Sequence, residues 1–162
     1  MWLQGEQLSG KRRPSCVEGF LFPDSQIDRP TIQAYLETGY HVHGNAPATL
    51  RVGTFCSGLA ELHQAHRVDC SAFITACNPY SQVLSERFNT DRQNALASEL
   101  ERRALPYIGG MGKHPTNPWL GEASFLVLGL ALDAAKTLGV QFEQNAIVWD
   151  GSDAVPQLIL LR

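Results

Sequence analysis

The segment Phe73–Gln82, FITACNPYSQ, changes character halfway along its length. With the two residues before it, it begins as the apolar run SAFITA, which is typical of a strand covered on both faces in the middle of a sheet. It then becomes a polar bend that contains Asn78, Pro79 and Ser81. A buried strand that ends in hydrogen-bonding side chains predicts a ligand site at the end of a sheet.

Four elements are predicted before this strand. A helix begins at Asp28–Pro30 and ends at Gly39, since proline suits the first helical turn and glycine suits the C-terminal stop. The segments YHVH and ATLRVG are two short strands. A second helix has Ser57 as its cap and carries Leu62 and His66 on its buried side.

Five elements are predicted after the polar bend. The segment TDRQNALASELERR forms the clearest helix, with Thr90 as its N-terminal cap. Residues 106–121 are rich in glycine and proline and are interpreted as a long loop, a feature that is often functional in a compact domain. ASFLVLG is a strand, and LDAAKTLG is a short helix that ends at Gly139. NAIVW and PQLILL are two closing strands.

This order of elements determines the predicted fold class. Strands and helices interleave without a strict repeat, which predicts an α/β or α+β fold with a mixed β-sheet of about five to seven strands and about three to four helices packed on it. Residues 31–162 are expected to form a single domain. Residues 1–30 are expected to be an irregular N-terminal arm, because they contain three prolines and no sustained periodicity.

Composition narrows the class of protein. The net charge of −3 over 162 residues argues against nucleic-acid binding, although Lys11–Arg13 is a small basic cluster. The apolar runs are too short for a membrane span, and the N-terminus does not resemble a secretory signal. A cytoplasmic location is therefore expected, with the four cysteines as reduced thiols. The sequence does not indicate the oligomeric state.

Several polar and apolar positions together resemble a known family. They are ITACNPYS, then Asn89, Arg92, Leu96 and Leu100 in the pattern N..R...L...L, then W.GE.SFLV.G and LG..F.QNAI. In this order and spacing, residues 34–162 resemble the uncharacterised bacterial family DUF3293, a domain of unknown function. The resemblance implies a small bacterial cytoplasmic protein. It implies no activity, cofactor or catalytic residue.

The predicted site has a wall at the polar bend and at the helix that follows. Thr75, Asn78 and Ser81 supply donors and acceptors, and Gln144 adds an amide from a later strand. Asn89 and Arg92 lie near the expected start of the helix, whose free N–H groups would form an anion cradle with the guanidinium. The alternative is that these residues are ordinary turn and cap residues.

The predicted lid is the glycine-rich segment. Lys113, His114 and Trp119 would contact the ligand, with His114 also proposed as a catalytic residue. Glu122 lies just before a buried strand, where burial would raise its pKa and suit it to general acid or base catalysis. The alternative is that Trp119 closes the core and Glu122 pairs with an arginine.

No metal or cofactor site is predicted. Cys56, His63, His66 and Cys70 bracket a helix, but their spacing is not an established zinc pattern. The common phosphate-binding and hydrolase motifs are absent from the sequence.

Two functions remain open. The first is a small-ligand-binding domain, with catalysis undecided, for an anionic or amide-containing molecule. Its central expectation is that Asn78, Arg92 and Glu122 converge on one cavity of about 300 Å³ or more. The alternative is a non-catalytic regulatory or protein-interaction module that docks a protein partner through Trp2, Tyr107 and Trp119.

Overall fold

The structure, a computed structural model, describes residues 24–162. Most of the predicted N-terminal arm lies outside these residues, as do Trp2, the Lys11–Arg13 cluster and Cys16. The strands are β1 (Gly39–Val42), β2 (Ala48–Leu50), β3 (Ser71–Ile74), β4 (Tyr107–Lys113), β5 (Glu122–Leu128), β6 (Ala146–Asp150) and β7 (Gln157–Leu160). The helices are α1 (Arg29–Glu37), α2 (Ser57–His66), α3 (Glu86–Arg102) and α4 (Leu132–Gln141).

All seven strands form one sheet in the order β2-β1-β4-β5-β3-β6-β7, and each neighbouring pair is antiparallel. The predicted α/β or α+β fold, with about five to seven strands and three to four helices, is confirmed. The sheet itself is antiparallel throughout and not mixed. The segment SAFI is strand β3 and lies between β5 and β6, with all four of its residues buried. The polar bend therefore follows a rigid interior strand, as expected.

Both faces of the sheet are covered. Ala72 and Ile74 of β3 pack with the helices α3 and α4 in one hydrophobic cluster. Phe73 points to the other face, where it packs with α2 in a second cluster. This alternation follows from the two-residue period of a strand. Helix α1 lies over part of the second face. It is joined to the sheet there by the Tyr40 hydroxyl on β1, which donates a hydrogen bond to the Tyr35 carbonyl of α1 at 2.8 Å.

Three predicted helix boundaries are wrong. Cys56 is the N-cap of α2, and Ser57 is the first helical residue and not the cap. Helix α3 begins one turn before Thr90, because the Ser85 hydroxyl accepts the Phe88 N–H and caps the helix there. Helix α4 continues through Gly139 to Gln141. A Cβ at Gly139 would lie 2.6 Å from the Leu161 side chain, so this glycine serves close packing and not a helix stop.

The prediction of a long loop at residues 106–121 is also wrong for nearly half of that segment. Residues 107–113 form strand β4, which pairs with β1 on one side and β5 on the other. A Cβ at Gly110 would lie 2.5 Å from the His41 carbonyl oxygen and 2.8 Å from the Phe73 ring. The glycine is therefore needed for close approach within the sheet. The connecting segment is short, at residues 114–121.

Candidate functional site

A cavity of about 390 Å³ lies on the α1 side of the sheet, beside the bend that follows β3. We call it the sheet-end cavity. Its floor includes side chains from five strands that point to the same face: Tyr40, Phe73, Ser124, Val148 and Leu158. Its other walls include Pro30, Ala34 and Tyr35 of the α1 segment and His114 and Trp119 of the segment 114–121. This volume lies within the range of small-molecule sites, about 300–1,000 Å³.

Most of the predicted site residues line this cavity, and three do not. Those that line it are Thr75, Asn78, Ser81, His114, Trp119, Glu122 and Gln144. Asn89, Arg92 and Lys113 do not. The two segments that begin at the Asn-Pro bend and at Trp119 therefore meet around a shared hollow.

Asn78 and Glu122 are the closest contact between these segments. The Asn78 Nδ2 donates to the Glu122 Oε1 at 2.6 Å. Asn78 is held in the left-handed region, with φ 46°, a conformation that asparagine tolerates better than most residues. Its Oδ1 accepts from the Leu84 N–H and the Asn89 Nδ2, both at 2.9 Å. The amide is therefore fixed, and it fixes the position of the carboxyl.

Burial raises the pKa of Glu122, and hydrogen bonding from the Asn78 and Trp119 side chains partly offsets this rise. Glu122 is the first residue of β5 and lies beside the cavity. No Lys or Arg lies among the described residues that line this cavity. A carboxyl without a cationic partner in a partly buried site is suited to accept a hydrogen bond or a proton from a ligand.

His114 has a structural role that the sequence did not predict. Its Nδ1 accepts the backbone N–H groups of Thr116 and Asn117, at 3.2 and 3.1 Å, so this nitrogen carries no proton. Its Nε2 lies 3.0 Å from the Glu37 carboxylate on α1. Because both ring nitrogens are engaged, His114 joins the segment 114–121 to α1, and the predicted catalytic role gains no support from its contacts.

The predicted anion cradle is wrong. The Arg92 guanidinium turns away from the cavity and donates to the carbonyls of Ala76 and Phe142, each at 2.7 Å, and to the Glu143 carboxylate at 3.1 Å. Asn89 accepts the Asn78 backbone N–H at 2.8 Å. Because α3 begins at Glu86, both residues lie inside the helix, where the N–H groups are already bonded.

The remaining polar residues form a network beside the cavity. The hydroxyls of Tyr35 and Ser81 lie 2.6 Å apart, and the Asn145 Nδ2 donates to both. Two hydroxyl groups in mutual contact use one hydrogen between them, which leaves one hydrogen for a ligand. The Gln144 Nε2 donates to the carbonyls of Cys77 and Phe142, and its Oε1 has no partner among the described residues.

Tyr35 and Tyr40 are lining residues that the sequence did not reveal as part of a site. In the sequence, Tyr35 fits the apolar stripe of the first predicted helix and shows no sign of a polar role. The partners of its hydroxyl lie up to 110 positions away along the chain. Thr75 lines the cavity, but its hydroxyl is engaged by the Ala123 carbonyl at 2.7 Å and the Cys77 N–H at 3.0 Å. It therefore shapes the wall and offers little to a ligand.

A second cavity of about 670 Å³ lies on the opposite face of the sheet, between α3 and residues 119–123. We call it the α3 groove. Its lining residues are Cys77, Asn78, Val83, Leu84, Glu86, Asn89, Thr90, Gln93, Asn94, Met111, Trp119, Leu120, Gly121, Glu122 and Ala123. The two cavities share three residues, Asn78, Trp119 and Glu122.

The residues considered for metal binding serve other contacts. The prediction that His66 joins the buried side of α2 is wrong, because His63 is the buried residue and His66 is exposed. His63 contacts Ser71 and Asp150. Within residues 24–162, no group of three or more His, Cys, Asp or Glu side chains is placed to hold a metal ion. The three cysteines in this range are free thiols.

The two described residues that were predicted to dock a protein partner, Tyr107 and Trp119, differ in their contacts and exposure. Tyr107 is half-buried, packs against the Phe125 ring at 4.7 Å and donates to Glu101 at 2.9 Å. Trp119 has 41% of its surface exposed.

Among the described helices, none has the length and apolar character that a membrane span requires.

Comparison with protein-family models finds a match to the central part of the chain. The model of the family described as protein of unknown function (DUF3293) matches residues 74–147, a narrower range than the resemblance noted in the sequence. The matched segment includes the bend after β3 and the start of β5, and therefore both halves of the Asn78–Glu122 contact. No curated protein and no solved structure matches the chain. The predicted resemblance is confirmed over residues 74–147, which match the model of the DUF3293 family.

Proposed function

We propose that this protein binds a small molecule carrying amide or amine N–H groups in the sheet-end cavity. The observation that supports this most is the convergence of Asn78, Trp119 and Glu122 around a space of about 390 Å³. The polar groups occupy one part of the lining, and aromatic and aliphatic side chains occupy the rest. An apolar cavity with a few oriented polar groups is the usual form of a small-molecule site.

The polar groups favour a ligand that donates hydrogen bonds. The Glu122 carboxyl and the Gln144 Oε1 are acceptors, and the hydroxyl pair of Tyr35 and Ser81 offers one donor. An amide has both N–H donors and a carbonyl acceptor, so it matches this set. An anionic ligand loses its support, because Arg92 and Lys113 do not line the cavity and Glu122 does.

Catalysis, if the bound molecule reacts, would use Glu122. Because burial raises its pKa, Glu122 takes up or releases a proton closer to neutral pH than an ordinary glutamate does. Asn78 would hold the carboxyl in position through the contact of 2.6 Å. The expected cytoplasmic location and the bacterial source remain part of this proposal.

Three probes with one ring and different polar groups test the ligand class. Benzamide, benzylamine and benzoate should be titrated by ligand-observed NMR, with Kd values on the order of 1 mM for molecules of this size. We expect benzamide and benzylamine to bind and benzoate to bind at least about tenfold more weakly, because it would place a second negative charge beside Glu122.

The matched variant is Glu122→Gln, which keeps the side-chain size and removes the charge. It should weaken benzylamine binding by about tenfold and narrow the difference between benzylamine and benzoate, because the charge is the source of the discrimination. Tighter binding of benzoate than of benzylamine by the wild-type protein would contradict the proposed ligand class.

A further inference from the structure

The α3 groove has an apolar rim that is unusually exposed. Leu120 has 87% of its surface exposed and Val83 has 74%. Met111 and Leu84 extend the apolar lining toward the interior. Exposed large apolar side chains around a concave surface mark a binding site more often than scattered single ones do. These four residues would contact an apolar group of a ligand.

The interior of the groove contains a buried hydrogen-bond donor without an acceptor. Gln93 lines the groove and has only 8% of its surface exposed. Its Oε1 accepts the Ala76 backbone N–H at 3.0 Å, which fixes the orientation of the amide. Its Nε2 is buried and has no partner among the described residues. Such a donor is costly to bury unless an acceptor is supplied to it.

The charges around the groove restrict what that acceptor can be. Two ionisable carboxyl residues, Glu86 and Glu122, line the groove, and no Lys or Arg lies among its described lining residues. A carboxylate or phosphate ligand would therefore enter an acidic site without a cationic partner. An uncharged carbonyl oxygen accepts a hydrogen bond without this penalty.

We propose that the α3 groove is a second binding site, which takes the alkyl chain of a small neutral acyl compound and directs its carbonyl oxygen to the Gln93 Nε2. The alkyl chain lies along Val83, Met111 and Leu120. The proposal does not depend on the ligand of the sheet-end cavity, although the two cavities meet at Asn78 and Glu122.

Three probes with the same eight-carbon chain test the polar group. Octanamide, octylamine and octanoate should be titrated by isothermal calorimetry into the full chain. We expect octanamide to bind at least about fivefold more tightly than octylamine or octanoate, since only the amide offers a neutral acceptor. Equal binding of all three would overturn the assignment of Gln93 as the donor.

The variant Leu120→Ser tests the apolar rim. Because this side chain is almost fully exposed, its replacement leaves the fold intact, and we expect octanamide binding to weaken by about fivefold. The matched control is Val140→Ser, an exposed apolar residue on α4 that lines neither cavity and should leave binding unchanged. An unchanged affinity in Leu120→Ser would overturn the location of the site.

The variant Gln93→Glu tests the donor itself. Glutamate retains an oxygen that accepts the Ala76 N–H and replaces the Nε2 by a second oxygen. We expect the preference to reverse, with octylamine binding more tightly than octanamide. A dipeptide, acetyl-Leu-Leu-amide, identifies the other class of occupant, and its binding more tightly than octanamide would overturn the acyl assignment. Gly112 lines the sheet-end cavity and not the α3 groove, so weaker benzamide binding in Gly112→Leu with octanamide binding retained separates the two sites.

Discussion

The sheet-end cavity and the cluster of His63, Ser71 and Asp150 lie on the same face of the sheet. Each contains a carboxyl residue, which is the partly buried Glu122 in the cavity and the fully buried Asp150 in the cluster. In the cluster, the Ser71 hydroxyl donates to both Asp150 oxygens at 2.8 and 3.0 Å, and the His63 Nε2 lies 3.0 Å from Ser71 and from Asp150. Ser71 and Asp150 are fully buried, and none of the three lines either cavity. The cluster satisfies itself, whereas the cavity residues keep acceptors available.

This difference shows what distinguishes a site from a buried polar cluster. Serine, histidine and aspartate are the residue types of a hydrolase triad, but here the serine donates to the aspartate, and none of the three lines either of the two cavities described above. Burial raises the pKa of Asp150 to about 7 and lowers the pKa of His63. The hydrogen bonds among these three side chains hold the cluster together inside the core, and its role is structural.

Removing the Asp150 carboxyl should have the largest effect on stability. The variant Asp150→Ala removes the acceptor of the buried Ser71 hydroxyl and leaves Ser71 and His63 with only each other as partners. We expect the free energy of unfolding to fall by about 3 kcal/mol, because a lost buried acceptor and the space left by the side chain both cost stability. Urea denaturation measures this. The control Asp150→Asn keeps an acceptor for Ser71 and should lose less. A loss below about 1 kcal/mol in Asp150→Ala would contradict the structural role of the cluster.

Arg92 provides the next test, because it was predicted to bind ligand and instead bridges backbone carbonyls. Arg92→Ala removes the side-chain donor to the Ala76 carbonyl and leaves the Phe142 carbonyl with only the Gln144 Nε2, so it should destabilise the protein by about 2 kcal/mol. Benzylamine binding should stay within about twofold of the wild type, since the side chain lies outside the cavity. The control is Arg102→Ala on the same helix, whose exposed ion pair with Glu99 should contribute below about 0.5 kcal/mol.

The dependence of stability on pH gives a smaller effect at Glu122. Its folded pKa is raised above the ordinary value of 4.5, so the protonated form is favoured in the folded protein. This contribution is present below pH 4.5 and is lost as the pH rises through the folded pKa. Each tenfold difference between the folded and unfolded acid dissociation constants corresponds to about 1.4 kcal/mol. Glu122→Gln should therefore gain stability relative to the wild type over this window, which urea denaturation at a series of pH values measures.

Benzylamine refines the same comparison between the two carboxyls. The positive charge of bound benzylamine should lower the pKa of Glu122, because Glu122 lines the cavity in which the ligand binds. The pKa of Asp150 should not change, because Asp150 lines neither cavity. Carboxyl ¹³C NMR with and without benzylamine measures both. A change at Asp150 equal to that at Glu122 would show that the response is not local to the cavity.

The parts of the fold that the sequence predicted are those determined by local pattern. The apolar run before Asn78 identifies an interior strand, and the Asn-Pro bend after it identifies the polar end. The site prediction failed at Arg92 because the cap assignment was displaced by one turn, from Ser85 to Thr90. An error of one helical turn moves a residue from the free N–H groups at the helix start to the bonded interior.

The features that the sequence did not reveal depend on distant partners. Strand β4 has the composition of a loop, because the need for glycine at position 110 comes from His41 and Phe73 on neighbouring strands. The Tyr35 hydroxyl meets Ser81 and Asn145 only after the sheet has formed. These contacts have no local signature, so periodicity cannot predict them.

Filling the sheet-end cavity tests the central claim most directly. Gly112 lines the cavity floor, and a Cβ there would meet its neighbours at no less than 3.7 Å, so Gly112→Leu places a side chain in the cavity without a backbone clash. The control Gly109→Leu lies on the same strand and points into open space on the other face. In NMR titrations with benzamide, we predict at least about tenfold weaker binding by Gly112→Leu and unchanged binding by Gly109→Leu. Equal binding by both variants would contradict the assignment of this cavity as the ligand site.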